Sequence, residues 1–592
     1  MTPRLWQPLP RAMWWLLLAY TALALAYNFA QPPFEPSDEQ YQFGYVRYLI
    51  ENRALPVARA GELSGYHHPP LQFALAALLA WPFPSNDFPE YETRINPYAR
   101  FRHWEPSVDN KNLYLHGPWD GWPFRNTALA VRVARLTSLI AGLVTVALTY
   151  PLARALFDEA TGLAAAGFVA FTPMFTSLSG TLQNDMGAAA LGAVTLWLGA
   201  HWAQAGFTAR RAALLGVVIG LGVLMKLTAA FLAPPVALLL MIQGWRDGGP
   251  RRAGLLLLAF ALGAALVSGW WFARNLALYG DPTAMSINLE NFGGRTTLGE
   301  GIALWPEMLP YAWTTFWGRI GHGGIVLHDG LYQALAFLTG LALLGLLRNT
   351  HSALRTIQDA LPFIILAALS CLAGLLYYLT ISPTGANGRY AYPALPAYMS
   401  LLAFGLLSFA PERWRMNAAR ALTGLMAAFS LSVLVFYVWP AYAPPPALAQ
   451  LPAEATPFEA NLGDTVRLRG YAVSTTEARP GDRVSLTLYW EPLSLTDRPY
   501  SVYVHLLDTS GQIIAQRDTY PGLGRNPTTA WTPGRMFADT YLLILPDDAP
   551  VGSAQWKVGL WQAETGDYAF LLDDAGEPVD SGVRFGEFQV RP

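Results

Sequence analysis

Residues 210–246 read RRAALLGVVIGLGVLMKLTAAFLAPPVALLLMIQGWR, and this stretch decides the fold. Between Arg211 and Arg246 lie about 32 apolar residues with one lysine, Lys226, near their middle. A single membrane span needs only about 20 apolar residues. Arginine marks the cytoplasmic flank of membrane helices, and here it marks both flanks. The chain must therefore cross and return as two short helices, 212–225 and 228–243, that turn near Lys226.

Worked outward, the same reading gives eleven spans: 13–30, 131–151, 162–180, 186–204, 212–225, 228–243, 253–273, 331–347, 360–380, 391–409 and 421–442. An N-terminus on the cytoplasmic side puts Arg154, Arg210, Arg211, Arg246, Arg251, Arg252, Arg348, Arg355, Arg413, Arg415 and Arg420 on that same side, as the positive-inside rule expects. Arg4 and Arg11 precede Met13–Ala30 as in a signal peptide, but that run is long enough to span and reads as an uncleaved first helix. Leu71–Phe83 is apolar but too short to cross, so it reads as an interfacial or re-entrant helix.

Composition agrees with a membrane protein carrying a soluble appendage. The 592 residues are 53% hydrophobic and 14% charged, with a mean hydropathy of +0.26. A soluble protein carries about 25% charged residues. The net charge of −2 implies no nucleic-acid partner. The single cysteine, Cys371, permits no internal disulfide.

The expected organisation is a transmembrane domain over 1–443, including a large first outer loop at 31–130 with interfacial helices. A proline-rich linker follows at 444–460, then an extracytoplasmic domain at 461–592. Another outer loop spans about 275–330. The first loop is rich in aromatic residues (Tyr91, Tyr98, Trp104, Tyr114, Trp119, Trp122), which suit a bilayer interface and also stack on sugars. Beyond the linker, Val466–Tyr471, Val484–Trp490, Tyr500–Leu506 and Trp556–Trp561 alternate with period two, and turn residues separate them. Seven or eight such strands predict an all-β sandwich.

Polar groups at the outer membrane boundary are the candidates for chemistry. Asp38-Glu39 follows a proline-stiffened exit from the first span and opens an amphipathic stretch, Tyr41–Ile50. His67-His68-Pro69-Pro70-Leu71 starts the short apolar helix; adjacent histidines face different ways and make a poor metal-ligand pair. Asp185 sits in the short loop Gln183-Asn184-Asp185, and Arg389 in Asn387-Gly388-Arg389-Tyr390. Lys226 and Arg274, the latter beside Trp270-Trp271, are further cations. Each has an ordinary explanation alone: a solvated loop, an N-cap, a snorkelling side chain. Together they place three cations facing carboxylates on one side of the membrane, and guanidinium suits a phosphate.

In their order and topology these segments resemble the GT-C fold membrane glycosyltransferases. They are similar to the bacterial branch of the protein O-mannosyltransferase and aminoarabinose-transferase superfamily. The likeness rests on the acid pair, the His-Pro-Pro-Leu segment, Asp185, Trp271–Pro282, Phe316-Trp317-Gly318-Arg319 and Gly388-Arg389-Tyr390, and covers about residues 13–440. The resemblance implies inverting transfer of a hexose or pentose from a polyprenyl-phosphate carrier to an envelope lipid, glycan or protein, outside the bacterial inner membrane. It implies Asp38 as general base, Glu39 as its neighbour, and Asp185 as second acid. Arg389, Tyr390, Lys226, Arg274, His67 and His68 are the implied substrate-binding residues, and no metal or other cofactor is required. Gln72 departs from the pattern: it stands where protein mannosyltransferases carry Gly-Lys, which weakens protein as the acceptor. An envelope polymerase or ligase, a transporter and a membrane anchor for the β-domain are the competing classes. Transporters place ionisable groups at the midplane and show internal repeats. No repeat is evident here, and one or two spans would suffice for an anchor.

Overall fold

The structure, a computed structural model, describes residues 9–100, 109–293, 297–356, 360–382 and 387–592. Arg4, Trp104 and the side chain of Arg355 lie outside that description. The chain forms two compact units: Met1–Ser85 with Leu129–Phe436, and Asn86–Ala128 with Tyr437–Pro592.

The first unit is helical. Its elements, with two short helices of the second unit included to keep chain order, are α1 (Arg11–Ala30), α2 (Glu39–Asn52), α3 (Leu71–Ala80), α4 (Phe88–Thr93), α5 (Asn126–Ala134), α6 (Leu136–Leu156), α7 (Glu159–Phe171), α8 (Pro173–Ser179), α9 (Asn184–Ala205), α10 (Ala209–Met225), α11 (Ala233–Tyr279), α12 (Met285–Phe292), α13 (Leu298–Ala303), α14 (Trp305–Trp317), α15 (Asp329–Thr356), α16 (Ala360–Ile381), α17 (Leu395–Leu407), α18 (Arg415–Val433) and α19 (Trp439–Tyr442). Every stretch expected to span coincides with helix, while length and composition do not confirm the count of eleven. Among the described residues seven helices are long and apolar enough to cross, or eight if α7 and α8, bent by 62°, form one span. α10, at 17 residues, is too short to be counted. α11 breaks at Gly248 and Gly249, both non-helical, and Gly244 lies against Ala253, so α11 is a hairpin of two helices. These are multi-pass membrane proportions. α3, ten residues long, covers only about 15 Å of a roughly 30 Å core.

Lys226 caps the end of α10, and a 3-10 helix, Leu227–Leu232, leads into α11. The turn read at Lys226 is thus a true break. α10 and the second half of α11 pack closely through glycine: a Cβ added at Gly216 would lie 2.0 Å from the Phe260 carbonyl oxygen. One added at Gly263 would lie 2.2 Å from that of Ala213. Small residues that let helix backbones approach are the usual seam of membrane helices.

The second unit is a β-sandwich joined by residues 86–128. Among the described residues thirteen strands are present: β1 (Ala447–Leu448), β2 (Thr456–Leu462), β3 (Val466–Val473), β4 (Glu477–Ala478), β5 (Arg483–Pro492), β6 (Ser501–Asp508), β7 (Ile513–Thr519), β8 (Met536–Ile544), β9 (Gly552–Trp561), β10 (Tyr568–Ala569), β11 (Leu571–Leu572), β12 (Pro578–Asp580) and β13 (Val583–Val590). One sheet runs β1-β8-β5-β3-β2-β11-β12; the other runs β4-β13-β9-β6-β7, with β10 on β9. Period-two alternation puts Leu468, Leu486, Leu488 and Trp490 of one sheet into a single core with Val502, Val504, Trp556 and Val558 of the other. The proline-rich stretch is not bare linker: it holds β1, paired with β8, and the start of β2, paired with β3. The side-chain amide of Asn112 donates to the carbonyls of Ala441 (3.2 Å) and Leu523 (3.3 Å), and so ties the first-loop segment into this unit.

Candidate active site

The exit from α1 is built by a buried ion pair. Arg135 and Glu39 are both fully buried, with Nε to Oε1 at 2.8 Å and Nη2 to Oε2 at 2.6 Å. Arg135 also donates to the carbonyls of Asn28 and Gln31, each at 2.8 Å, and of Pro32 at 3.0 Å. Glu39 accepts the backbone N–H groups of Phe34 (3.0 Å) and Leu182 (2.9 Å). Parallel Arg–carboxylate bonds fix geometry as well as charge. This clamp joins the α1–α2 loop to the α8–α9 loop.

Asp38 directly precedes α2 with φ at 64°, in the left-handed region that Asp tolerates better than most residues. Its side chain leaves in a different direction from that of Glu39. Arg389 Nη2 donates to Asp38 Oδ2 at 2.6 Å, and the Asp38 side chain is 45% exposed. Arg389 itself is buried, with Nε 3.5 Å from Asp185 Oδ2. Lys226 Nζ donates to Asp185 Oδ1 at 2.7 Å and lies 4.5 Å above the Tyr390 ring. Asp38, Arg389, Asp185 and Lys226 thus form a chain of alternating charge. Arg389 Nη1 and Nε donate no hydrogen bond among the described residues.

Local sequence explains each position. Asp185 lies in the first turn of α9, where the helix dipole favours a carboxylate. Gln183 Nε2 holds the Ser37 carbonyl at 2.5 Å, and Gln42 Nε2 holds Gln183 Oε1 at 3.2 Å, which fixes the two acid-bearing loops together. Arg389 stands in a short 3-10 helix, Gly388–Ala394, before α17. Only glycine fits at 388: an added Cβ would meet the Ala312 carbonyl oxygen at 2.1 Å, and the Gly388 N–H donates to Thr315 Oγ1 at 2.8 Å. Gln72, the departure noted above, is buried and donates to Thr137 Oγ1 at 2.9 Å.

Burial pushes the Asp38 carboxyl up, but the charges of Arg389, His322 and Lys226 and the Arg389 hydrogen bond outweigh it and hold it below its usual value. Burial lowers His67 to about 4 against the opposing Ser64 hydrogen bond and Asp38 charge. His68 is held well below its usual value, by burial and then by the charges of His67, Lys226 and Arg389. The histidine rings lie 4.0 Å apart beside this cluster.

The structure therefore brings together Asp38, Asp185, Lys226, Arg389 and Tyr390, with His67 and His68 alongside. Glu39 faces Arg135 instead. Arg274 is engaged elsewhere: it donates to the Pro56 carbonyl at 2.5 Å and lies 5.1 Å from the Trp271 ring centre. Arg135, Gln42 and His322 escaped the sequence reading. Arg135 had a signal, since it and Arg132 fall inside the expected span 131–151 and a membrane-embedded arginine needs a partner. His322, in a glycine-rich turn closed by the Ile320–Ile325 bridge, had none. Among the described residues no group of three or more His, Cys, Asp or Glu side chains is arranged to hold a metal.

Residues 127–272 match the family model described as dolichyl-phosphate-mannose-protein mannosyltransferase. Over that segment, about a quarter of the chain, the sequence is similar to that family. That segment carries Arg135, Asp185 and Lys226. Among solved structures, ArnT from Cupriavidus metallidurans bound to undecaprenyl phosphate aligns at 13% identity and a TM-score of 0.41, covering 71% of this chain and 64% of that one. The Archaeoglobus fulgidus oligosaccharyltransferase in the apo form aligns at 14% identity and 0.38, covering 72% and 55%. This chain thus spans less than two thirds of the length of either. No curated protein matches it.

Proposed function

We propose that this mannosyltransferase-like chain is a membrane glycosyltransferase. It moves a hexosyl or pentosyl group from a polyprenyl-phosphate carrier to an envelope lipid, glycan or protein, with inversion, on the extracytoplasmic face of a bacterial inner membrane. The observation that carries the reading is the charge chain Asp38–Arg389–Asp185–Lys226, with an accessible carboxylate at one end and a guanidinium nitrogen, Arg389 Nη1, that donates no hydrogen bond among the described residues.

In this reading the acceptor hydroxyl gives its proton to Asp38 as its oxygen bonds to the anomeric carbon. The bond from that carbon to the carrier phosphate oxygen breaks on the opposite face, and the phosphate leaves as an anion. Arg389 and Lys226 offset that charge, so no divalent metal is required. Arg389 keeps Asp38 ionised. A phosphate that shares Arg389 draws the guanidinium away from Asp38 and restores its basicity when donor is bound.

The test is transfer from a labelled polyprenyl-phosphate sugar by purified protein, with an envelope extract as acceptor. Asp38→Asn keeps size and polarity but loses the base. Transfer should fall by at least about 100-fold, the lower end of general-base contributions. If Asp38→Asn keeps full activity and Asp185→Asn abolishes it, the base is Asp185. Indifference to both substitutions would remove the transferase reading.

A further inference from the structure

The unit formed by Asn86–Ala128 and Tyr437–Pro592 contains a groove that the chemistry above does not use. Trp439, the Pro444-Pro445-Pro446 run, Arg525, Asp539 and Thr540 line it. Its volume, about 490 Å³, falls within the range of small-ligand clefts.

Asp539 is the informative residue. It is only 2% exposed, and both of its hydrogen-bond donors, the Gly522 N–H (2.7 Å) and the Tyr541 hydroxyl, bind Oδ2. Oδ1 accepts no hydrogen bond among the described residues. Arg525 donates Nε to the Gly522 carbonyl at 2.6 Å and Nη1 to the Pro440 carbonyl at 2.8 Å. Its Nη2 is uncommitted, and among the described residues it makes no ion pair with Asp539. Asp539 and Arg525 both line the groove, and each keeps an atom there with hydrogen-bonding capacity left over.

Such a groove discriminates by charge. Asp539 repels an anion, and Arg525 repels a cation. A hydroxyl suits both groups, because it donates to a carboxylate and accepts from a guanidinium. Neighbouring hydroxyls on one ring satisfy the pair together. Trp439, 60% exposed at the rim, offers a flat face for ring C–H groups, and the proline run gives a second apolar wall. We propose that this groove binds a neutral hexose unit of a glycan. The site is separate from Asp38 and stands whether or not the transferase reading holds.

The experiment uses the purified full-length chain in a detergent without a sugar headgroup, since glycosidic detergents would compete. The probes are the methyl glycosides of mannose, glucose and galactose. Binding is read by saturation-transfer NMR and by tryptophan fluorescence. At least one glycoside should bind saturably. Trp439→Ala should weaken it about tenfold by loss of stacking, and Asp539→Asn by about tenfold or more by loss of a charged acceptor. Trp439→Phe should bind within a few-fold of wild type, and Asp38→Asn should leave binding unchanged. Trp439 lies at the rim, so its variant stays informative if Asp539→Asn misfolds. Absence of saturable binding by all three glycosides overturns the proposal. So does equal binding by folded Trp439→Ala, or loss of binding in Asp38→Asn, which would move the sugar to the membrane unit. Absence of transfer by the wild-type chain with glycoside binding intact would sink only the transferase reading.

Discussion

Glu39 presents both carboxylate oxygens to Arg135, while Asp38, one residue earlier, reaches Arg389. The acid pair was legible because two carboxylates beside a span are rare. Their division of labour was not legible, because it depends on a left-handed turn at Asp38 and on a partner far along the chain. The substitutions should differ accordingly. Glu39→Gln leaves Arg135 buried without its countercharge, and breaking a buried pair costs about 3–5 kcal/mol. Its melting temperature in detergent should drop well below wild type, while the exposed edge of Asp38 lets Asp38→Asn melt near it. Equal melting of both variants would mean that the Arg135 clamp does not hold the α1 exit. The histidines give a second residue-scale prediction. His67 titrates at about 4 in the folded chain, against about 6.5 unfolded. Between those values the unfolded chain binds the extra proton, so stability rises with pH and is lost as pH falls from about 6.5 toward 4. His67→Gln should flatten this part of the melting-temperature profile. A profile unchanged by the substitution would place the titration on another group.

At the scale of elements, hydropathy located every long apolar helix, but length and composition do not confirm how many of them cross. The reason is that α7–α8, α10–α11 and the Gly388–Ala394 turn are broken or short helices, and a run of apolar residues does not show where it bends. Arginine at both flanks did reveal the break at Lys226, and the short length of Leu71–Ala80 was readable directly. The sandwich was legible in the alternation of β3, β5, β6 and β9; β1, β4, β10, β11 and β12, two or three residues each, carry no pattern. The helix seams were invisible, because a glycine in an apolar run looks the same at a seam and on a free face. That difference is testable. Gly216 and Gly263 sit against backbone oxygens, whereas a Cβ added at Gly254 meets nothing within 4 Å. Gly216→Leu or Gly263→Leu should force α10 from α11 and destabilise by at least about 1–3 kcal/mol, the usual cost of overpacking. Gly254→Leu should melt like wild type. Three equal melting temperatures would show that the α10–α11 approach is not tight.

For the whole molecule, the open question is which way the chain threads the membrane. Asn86–Ala128 and Tyr437–Pro592 form one compact unit, so both segments must lie on the same side. The chain must then cross an even number of times between Leu129 and Phe436. Ten crossings, those expected from 131–151 through 421–442, meet this condition. So do eight, when α9 and α10 are not counted, the bent pair α7–α8 is one span and α11 is two. Arginine gives the expected sign: Arg210, Arg211, Arg246, Arg251 and Arg252 gather at the ends of the helices flanking Lys226, and the positive-inside rule predicts that the Gly248–Gly249 turn is cytoplasmic. Five apolar helical stretches separate that turn from the β-sandwich: the second half of α11, α15, α16, Gly388–Leu407 and Glu412–Tyr442. An odd number puts the sandwich on the opposite side. A reporter active only in the cytoplasm should therefore signal when inserted at Gly249 and stay silent when fused after Pro592. An export-dependent reporter should give the reverse pattern at both sites. Signal from the cytoplasmic reporter at both positions would make one of the five stretches a re-entrant or surface helix. It would also put Asn86–Ala128 in the cytoplasm, and Asp38, which precedes it by only the short α2 and α3, could not then serve an extracytoplasmic acceptor.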